Sequence, residues 1–388
     1  MNKNGWTYKK LKDVAEIIGG STPKTNVKEY WDGDYYWVTP AEIGTTVYID
    51  KTSRTITEEA IKASNLTLLP EGTVLLSSRA PIGKLAITKV PMYCNQGFKN
   101  IVCSDSLINK YVYYYIGKIV PYIQSLGRGA TFKEVSKKIV EEIKIPVPPK
   151  DIQNQIISEL DSINDSIIML QQQVKDIDSL TQSLFYEMFG DPIENPKGWE
   201  VKKLSEVCDV RDGTHDSPKY VLKSDYFLIT SKNIKEDSLD FTDINYISKE
   251  DYDAINKRSF VDDGDIIMAM IGTIGKPIIV HKSGRQFCIK NVALIKFSHS
   301  QCTINTYIKA LLDNDSYKKY VYSLNKGGTQ KFVALGTLRG LKIPLPPISL
   351  QSSFATKIAS IEELKASIKA QILELQLLLS ARMQYWFD

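Results

Sequence analysis

A heptad seam runs through the middle of this 388-residue chain. Between residues 151 and 189, apolar side chains recur at Ile156, Leu160, Ile163, Ile167, Leu170, Val174 and Ile177, then at Leu184 and Met188, with Thr181 as the polar interruption. Steps of four and three alternate, which is the a/d pattern of a helix that buries one stripe against another helix. No Gly or Pro breaks the pattern before Gly190 and Pro192. At about 1.5 Å per residue the helix runs roughly 58 Å, and it cannot cover its own stripe. The stripe recurs 198 residues later, at Phe354, Ile358, Ile361, Ile368, Ile372, Leu375, Leu379 and Trp386, with Lys365 and Arg382 as the exceptions. The chain therefore carries a partner helix of its own.

The repeat extends beyond the helices. Trp6-Thr-Tyr-Lys-Lys-Leu-Lys-Asp-Val is echoed by Trp199-Glu-Val-Lys-Lys-Leu-Ser-Glu-Val, and Tyr36-Trp-Val-Thr-Pro-Ala-Glu-Ile by Phe227-Leu-Ile-Thr-Ser-Lys-Asn-Ile. Leu69-Pro-Glu-Gly-Thr-Val-Leu-Leu aligns with Val261-Asp-Asp-Gly-Asp-Ile-Ile-Met, and Ile143-Lys-Ile-Pro-Val-Pro-Pro with Leu341-Lys-Ile-Pro-Leu-Pro-Pro. The sequence predicts four parts: a globular domain at 1–150, a long helix at 151–190, a second globular domain at 191–348 and a second long helix at 349–388. Each globular half reads as mixed α and β. Gly72–Ser78 and Asp265–Met270 read as strands, with Leu85-Ala-Ile-Thr and Pro277-Ile-Ile-Val as hairpin partners. Residues 109–125 and 305–324 read as helices, with Tyr111 and Tyr307 equivalent and Tyr113 to Tyr115 in the core. The proline segments 146–149 and 344–347 are expected to stop any regular element and to feed stiffly into the long helices. If the two helices pair antiparallel, the halves are related by a pseudo-two-fold axis. Duplex DNA, whose half-sites mirror protein symmetry, is the commonest target of such an object.

Composition narrows the field without deciding it. Hydrophobic residues make up 43 % and charged residues 24 %, as in ordinary globular proteins. A net charge of +4 permits nucleic-acid binding but does not demand it. No apolar run approaches the roughly 20 residues of a membrane span, and residues 1–13 hold no signal-peptide core, so a cytoplasmic protein with no membrane contact is the expectation. Five scattered cysteines and three scattered histidines suggest neither a disulfide framework nor a metal site, and read as buried thiols and lone rings.

Catalytic motifs are missing. Neither a GxGxxG nor a GxxxxGK[ST] phosphate loop is present, and GxSxG and HExxH are absent. No Asn-Pro-Pro-aromatic motif occurs. Glu142-Ile-Lys144 matches a nuclease tail, but its upstream acid is missing and the second copy reads Gly340-Leu-Lys342. Asp209, Asp212 and Asp216 near His215 have the chemistry for a metal, but read better as solvated loop residues. What recurs instead is polar loops at equivalent positions of both copies. The first copy offers Thr22, Lys24, Arg79, Lys84, Asn95, Gln96, Lys99, Arg128, Thr131 and Lys133. The second offers Thr214, His215, Lys219, Lys232, Asn233, Thr273, Lys276, Asn291, Lys326, Thr329 and Gln330. Arg and Lys contact guanine edges or phosphates, and Asn and Gln contact adenine edges. The neighbouring glycines allow close backbone approach.

Taken in order, these marks resemble the specificity subunit of type I restriction-modification systems over essentially the whole length. They are Trp6 with Leu11 and Val14, Trp199 with Leu204 and Val207, Asp212-Gly-Thr-His215 with Pro218, and Ile229-Thr-Ser-Lys-Asn-Ile234. The Ile-Pro-x-Pro-Pro segments and the Leu180-x-x-Ser-Leu-Phe-x-x-Met-Phe189 ending complete the set. The resemblance implies an α+β fold with two target-recognition domains separated by two long helices in an antiparallel coiled coil. Each domain would read one part of a split sequence in double-stranded DNA, and the helices would act as a ruler. It further implies docking of two methyltransferase subunits, which bind S-adenosylmethionine and methylate adenine, and of motor-nuclease subunits. The chain itself would bind no cofactor and carry no catalytic residue. Arg382 on the seam departs from the pattern and weakens the pairing expected there. Two rivals remain: a protein-interaction scaffold with two adaptor domains on a coiled-coil rod, and a pseudo-dimeric enzyme. The second is disfavoured because titratable residues differ between the copies.

Overall fold

The computed structural model describes residues 5–127, 133–235, 238–270, 276–298, 300–324 and 333–388. The chain divides into two compact units, Met1–Gln171 with Ala370–Asp388, and Gln172–Lys369. The division runs through both long helices, Lys150–Phe189 and Ile348–Phe387, so each unit owns part of each helix. Among the described residues no helix is long and apolar enough to cross a membrane.

In the first unit a five-stranded sheet takes the order Ala15–Gly19, Lys99–Cys103, Val74–Leu76, Leu85–Thr88, Tyr48–Ile49. A three-stranded sheet places Trp31–Val38 between Thr55–Ile56 and Tyr93–Cys94, the latter pair parallel. The second unit repeats this plan. Its four-stranded sheet runs Asp209–Asp212, Val292–Lys296, Ile266–Ala269, Pro277–Ile279. Its three-stranded sheet centres on Tyr226–Ile229, again parallel to its following neighbour, Gln286–Ile289. Both hairpins read from the sequence form: Val74–Leu76 with Leu85–Thr88, and Ile266–Ala269 with Pro277–Ile279. Strands such as Val74–Leu76 and Ile266–Ala269 are apolar throughout because both of their faces are covered.

Two local readings need correction. The proline segments do not stop regular structure at once. Lys144–Pro146 pairs with Tyr8–Lys10, and Lys342–Leu345 with Glu200–Lys203, as isolated antiparallel ladders. A two-stranded ladder is all edge, where a residue without an N–H is tolerated. The helical stretches are also each two helices, Asn109–Lys118 then Val120–Ser125, and Asn305–Asp313 then Asp315–Ser323. Pro121 stands in the first turn of one second helix, where its missing N–H costs nothing, and the Asn314 side chain caps the other by accepting from Ser316 N at 3.0 Å and Tyr317 N at 3.2 Å.

The seam forms inside each unit, antiparallel in both. In the first, Ile156, Leu160 and Ile167 are buried and Ile163, Leu170, Ile372 and Leu375 partly so. Leu379, Met383 and Trp386 pack on the same core, and Phe387 meets Tyr111 and Tyr115 at 5.6 and 5.4 Å. In the second, Ile177 and Ile368 are buried and Val174, Ile358 and Ile361 partly so. There Phe189 lies 4.9 Å from Tyr307 and 5.1 Å from Phe354. The two seam exceptions are paired across the helices. Lys365 Nζ lies 2.7 Å from Asp178, and Arg382 bonds Glu159, Nη2 to Oε2 at 3.1 Å. The expected weak pairing at Arg382 is thus met by an ion pair within the first unit, joined by Trp386 Nε1 at 3.0 Å from Glu159 Oε2.

Each unit also anchors its long helix through one buried glutamine. Gln153 Nε2 donates to Ser106 O and Pro148 O, both at 2.9 Å, while its Oε1 accepts from Ile108 N at 2.8 Å. Gln351, 198 positions on, donates to Cys302 O at 3.0 Å and Pro346 O at 2.8 Å and accepts from Ile304 N at 3.1 Å. The equivalent tyrosines bond the proline segments, Tyr111 Oη to Pro146 O at 2.9 Å and Tyr307 Oη to Pro344 O at 2.7 Å. The copies differ beside them. Tyr114 reaches Asp161 at 2.6 Å in the first unit. Ala310 and Ala359 stand there in the second and leave a groove of about 560 Å³, edged by Lys309 and Glu362.

Candidate nucleic-acid interface

The candidate residues sit on loops that the backbone ties together. After Ala15–Gly19 the chain passes hard against the end of Tyr93–Cys94. A Cβ on Gly20 would lie 2.1 Å from Asn95 O, so only glycine fits. Ser21 N then bonds Cys94 O at 3.1 Å, and the Thr22 hydroxyl donates to Gln96 Oε1. Asn95 Oδ1 accepts from Gly97 N at 2.8 Å and closes the turn that carries Gln96. Gly97 O in turn accepts from Ser78 N at 2.7 Å, and Ser78 O from Val135 N at 2.9 Å. Thr22, Lys24, Arg79, Asn95, Gln96 and Lys133 therefore belong to one connected set of loops, with Lys99 beside them at the head of the strand Lys99–Cys103.

Charge is organised within that set. Arg79 Nε and Lys99 Nζ share the Glu134 carboxylate, at 3.0 and 3.3 Å. Burial pushes the Glu134 carboxyl up, but these two cations outweigh it and hold it below the usual carboxylate range. Two cations on one anion leave the group net positive. Lys24 and Lys133 are exposed. Lys84 instead turns its ammonium onto Pro40 O at 3.0 Å. Arg54, which the sequence did not single out, lies 3.5 Å above the Trp31 ring, with Trp37 Nε1 bonded to Ser21 O at 3.1 Å beneath the first loop.

The second unit repeats the junction with other side chains. A Cβ on Gly213 would lie 2.4 Å from Ile289 O, and Thr214 N bonds that carbonyl at 3.0 Å. His215 Nδ1 is 2.9 Å from Asn291 Oδ1, and its Nε2 is 2.9 Å from Asp212 Oδ2. Arg258 holds the other Asp212 oxygen. The bond to Asn291, and then that to Asp212, raise the His215 pKa above its ordinary 6.5. Burial raises the Asp212 carboxyl, yet His215 and Arg258 bring it below its usual value. Asp212 is thus buried, not a solvated loop acid, and Asp209 faces Arg211 at 2.6 Å. Lys219 and Lys276 are exposed, and Lys232 pairs with Asp243 at 3.1 Å. Asn233 is buried and all its polar atoms serve its own loop, through Thr230, Asp240 and Asp243. Arg128, Thr131, Thr273, Lys326, Thr329 and Gln330 lie outside the described residues.

Sequence reasoning missed Glu134 and Arg258, the counter-ions that orient the candidates, because neither is near its partner in sequence. It also passed over Leu222, which is fully exposed beside Tyr220 and between Lys219 and Lys223. The only signal was an apolar Tyr-Val-Leu inside an otherwise polar loop. Elsewhere the titratable groups are structural. Lys10 and Lys12 hold Glu142 down to about 2, and burial pushes the thiols of Cys94, Cys208 and Cys288 up to about 12, out of nucleophilic range at neutral pH.

Comparison with known proteins bears on the whole chain. The family described as type I restriction modification DNA specificity domain matches twice, at residues 3–178 and 196–376. The specificity subunit of the type I restriction enzyme MjaIX from Methanocaldococcus jannaschii is 30% identical over 405 residues, covering 96% of this chain and 90% of the relative. The MjaVIII specificity subunit of the same organism is 25% identical, covering 95% and 89%. Among solved structures, one from a study of complex assembly and conformational transition of the type I R-M system superposes with a TM-score of 0.61 at 19% identity, covering 98% of this chain and 97% of that one. The S subunit from M. genitalium gives 0.55 at 13% identity, covering 100% and 97%.

Proposed function

Because this chain belongs to the type I restriction-modification DNA specificity family, as a non-catalytic recognition subunit, we propose that each of its units reads one half of a bipartite duplex target. The observation that carries the reading is one scaffold with two sets of loop chemistry. Strand order, parallel pairing and the tight glycine junction recur in both units. The side chains presented around it differ: Arg79 and Lys99 on Glu134 in the first unit, against Asp212 between His215 and Arg258 in the second. A scaffold kept while its loops diverge is what two readers of different sequences require. Exposed lysines position the phosphates, and amides and hydroxyls meet base edges.

The long helices set the gap between the half-sites and carry the methyltransferase subunits. Exposed Ile168, Met169, Leu373, Leu377 and Leu378 in the first unit, and Leu180 and Leu364 in the second, give partner helices apolar surface to cover. Those partners bind S-adenosylmethionine and methylate adenine, motor-nuclease subunits complete the restricting enzyme, and the assembly works in the cytoplasm. Co-expression with the methyltransferase subunit, followed by genome-wide mapping of methylated adenines, tests the reading. One bipartite motif with a fixed gap is expected. A stable complex that produces no motif would favour a protein-interaction scaffold instead.

A further inference from the structure

Both units fasten the loop after their first sheet strand to the same turn by one side-chain hydrogen bond. In the first it joins Thr22 to Gln96, and in the second His215 to Asn291. The positions are equivalent in the fold. Thr22 and His215 each follow the residue whose N–H bonds Cys94 O or Ile289 O, and Gln96 and Asn291 each stand two residues past that carbonyl. The donor changes from hydroxyl to imidazole, but the acceptor stays a carboxamide oxygen on an accessible turn. An amide carries two N–H donors and two acceptor lone pairs. The bond uses one lone pair and fixes the amide plane. One lone pair and the NH₂ group remain, and these are the groups that pair with N6 and N7 of adenine.

Resting on the reading of each unit as a half-site reader, we propose that Gln96 and Asn291 are equivalent base-reading amides for adenine, and that Thr22 and His215 are positioning residues that hold them in place. Holding the amide before DNA arrives removes an ordering cost from binding, and it favours the base that matches the fixed plane. The two clasps differ in their response to pH. His215 has an oxygen at each ring nitrogen, Asn291 Oδ1 and Asp212 Oδ2, so the full arrangement needs both N–H groups of the imidazolium. Arg258 faces the far side of Asp212, Lys290 on the same turn bonds Ser217, and exposed Asp216 follows in the loop. Deprotonation of His215 above its raised pKa loosens the second clasp, whereas the Thr22 clasp does not titrate.

The test selects bound sequences from a random-sequence duplex library with the full chain in complex with its methyltransferase subunit. Q96A and T22V are expected to relax preference at one adenine of one half-site by about tenfold, the lower part of the range for a bidentate contact. N291A and H215A relax one adenine of the other half-site. T22S retains preference. Raising the pH from 6 to 8.5 weakens preference at the His215-linked position only, and H215Q, which keeps a neutral donor, flattens that dependence. A wild-type motif left unchanged by all four substitutions, or relaxed in both halves by any one of them, overturns the inference alone. If the wild-type complex selects no bipartite motif, the half-site reading falls and takes the inference with it.

Discussion

Lys296 in the second unit is buried, with Asp262 and Asp265 each 2.7 Å from its ammonium and Phe260 O at 2.8 Å. Burial raises the Asp265 carboxyl even with this cation beside it. Lys296→Met strands that carboxylate in the core and should destabilise the unit by about 3–5 kcal/mol, as for other broken buried pairs. A group whose folded pKa lies above its unfolded value favours folding at low pH and loses that contribution as pH rises through the folded pKa. The K296M penalty should therefore be smaller at pH 5 than at pH 7, which urea unfolding at the two values checks. Equal penalties at both would show that Asp265 does not titrate there. None of this was legible in the sequence, where Lys296 closes an apolar run as any strand-end lysine does. Asp212 and Asn233 show the same limit from the other side. Both read as loop residues open to solvent or DNA, and both are buried against partners. Sequence shows that a loop residue is polar but not which way the loop turns it.

At the scale of elements, periodicity carried the reading. A seam of ten positions and a second in register with it fixed two long helices, and both form with ends within a residue or two of those expected. What periodicity could not show is where polar groups are used inside the seam. Gln153 and Gln351 are preceded by no signal beyond their shared offset, yet each satisfies three backbone groups at the start of its helix. Gln351→Ala leaves the Ile304 N–H and two carbonyls unsatisfied in a buried place. It should cost about 1–3 kcal/mol, read as a shift in the urea midpoint, and Q153A should cost the first unit a similar amount. Lys365 predicts the opposite sign. Its partner Asp178 has a side chain 59% exposed and can return to water, while leucine completes the apolar stripe. Lys365→Leu should raise stability by about 1 kcal/mol, because burying one more apolar side chain outweighs an ion pair whose acid is largely in water. A loss of stability would mean that the pair is needed to hold the helix register.

The whole molecule repeats itself, and that was the most legible fact of all, since offsets between 191 and 198 bind nearly every motif of the first half to one in the second. The structure adds that strand order and pairing repeat along with the motifs, as in Tyr226–Ile229 and Trp31–Val38, each parallel to a later strand of its own unit. The loop side chains at the equivalent junctions differ between the copies, so the function assigned to the repeat depends on two readers that change independently of the helices. That independence can be tested on the methylation motif. A seven-residue insertion within 160–177, matched by seven residues at the seam positions paired with it, preserves both apolar stripes because it adds whole heptads. It lengthens each helix by about 10 Å at 1.5 Å per residue. The motif should then keep both half-sites letter for letter while its gap grows by a few base pairs, at roughly 3.4 Å each. An unmatched insertion of one or two residues in the first helix rotates its stripe away from its partner and should abolish methylation instead. A matched insertion that changes either half-site would show that the helices help to read the sequence, and one that leaves the gap unaltered would show that the gap is set elsewhere, by the docked subunits or by the DNA.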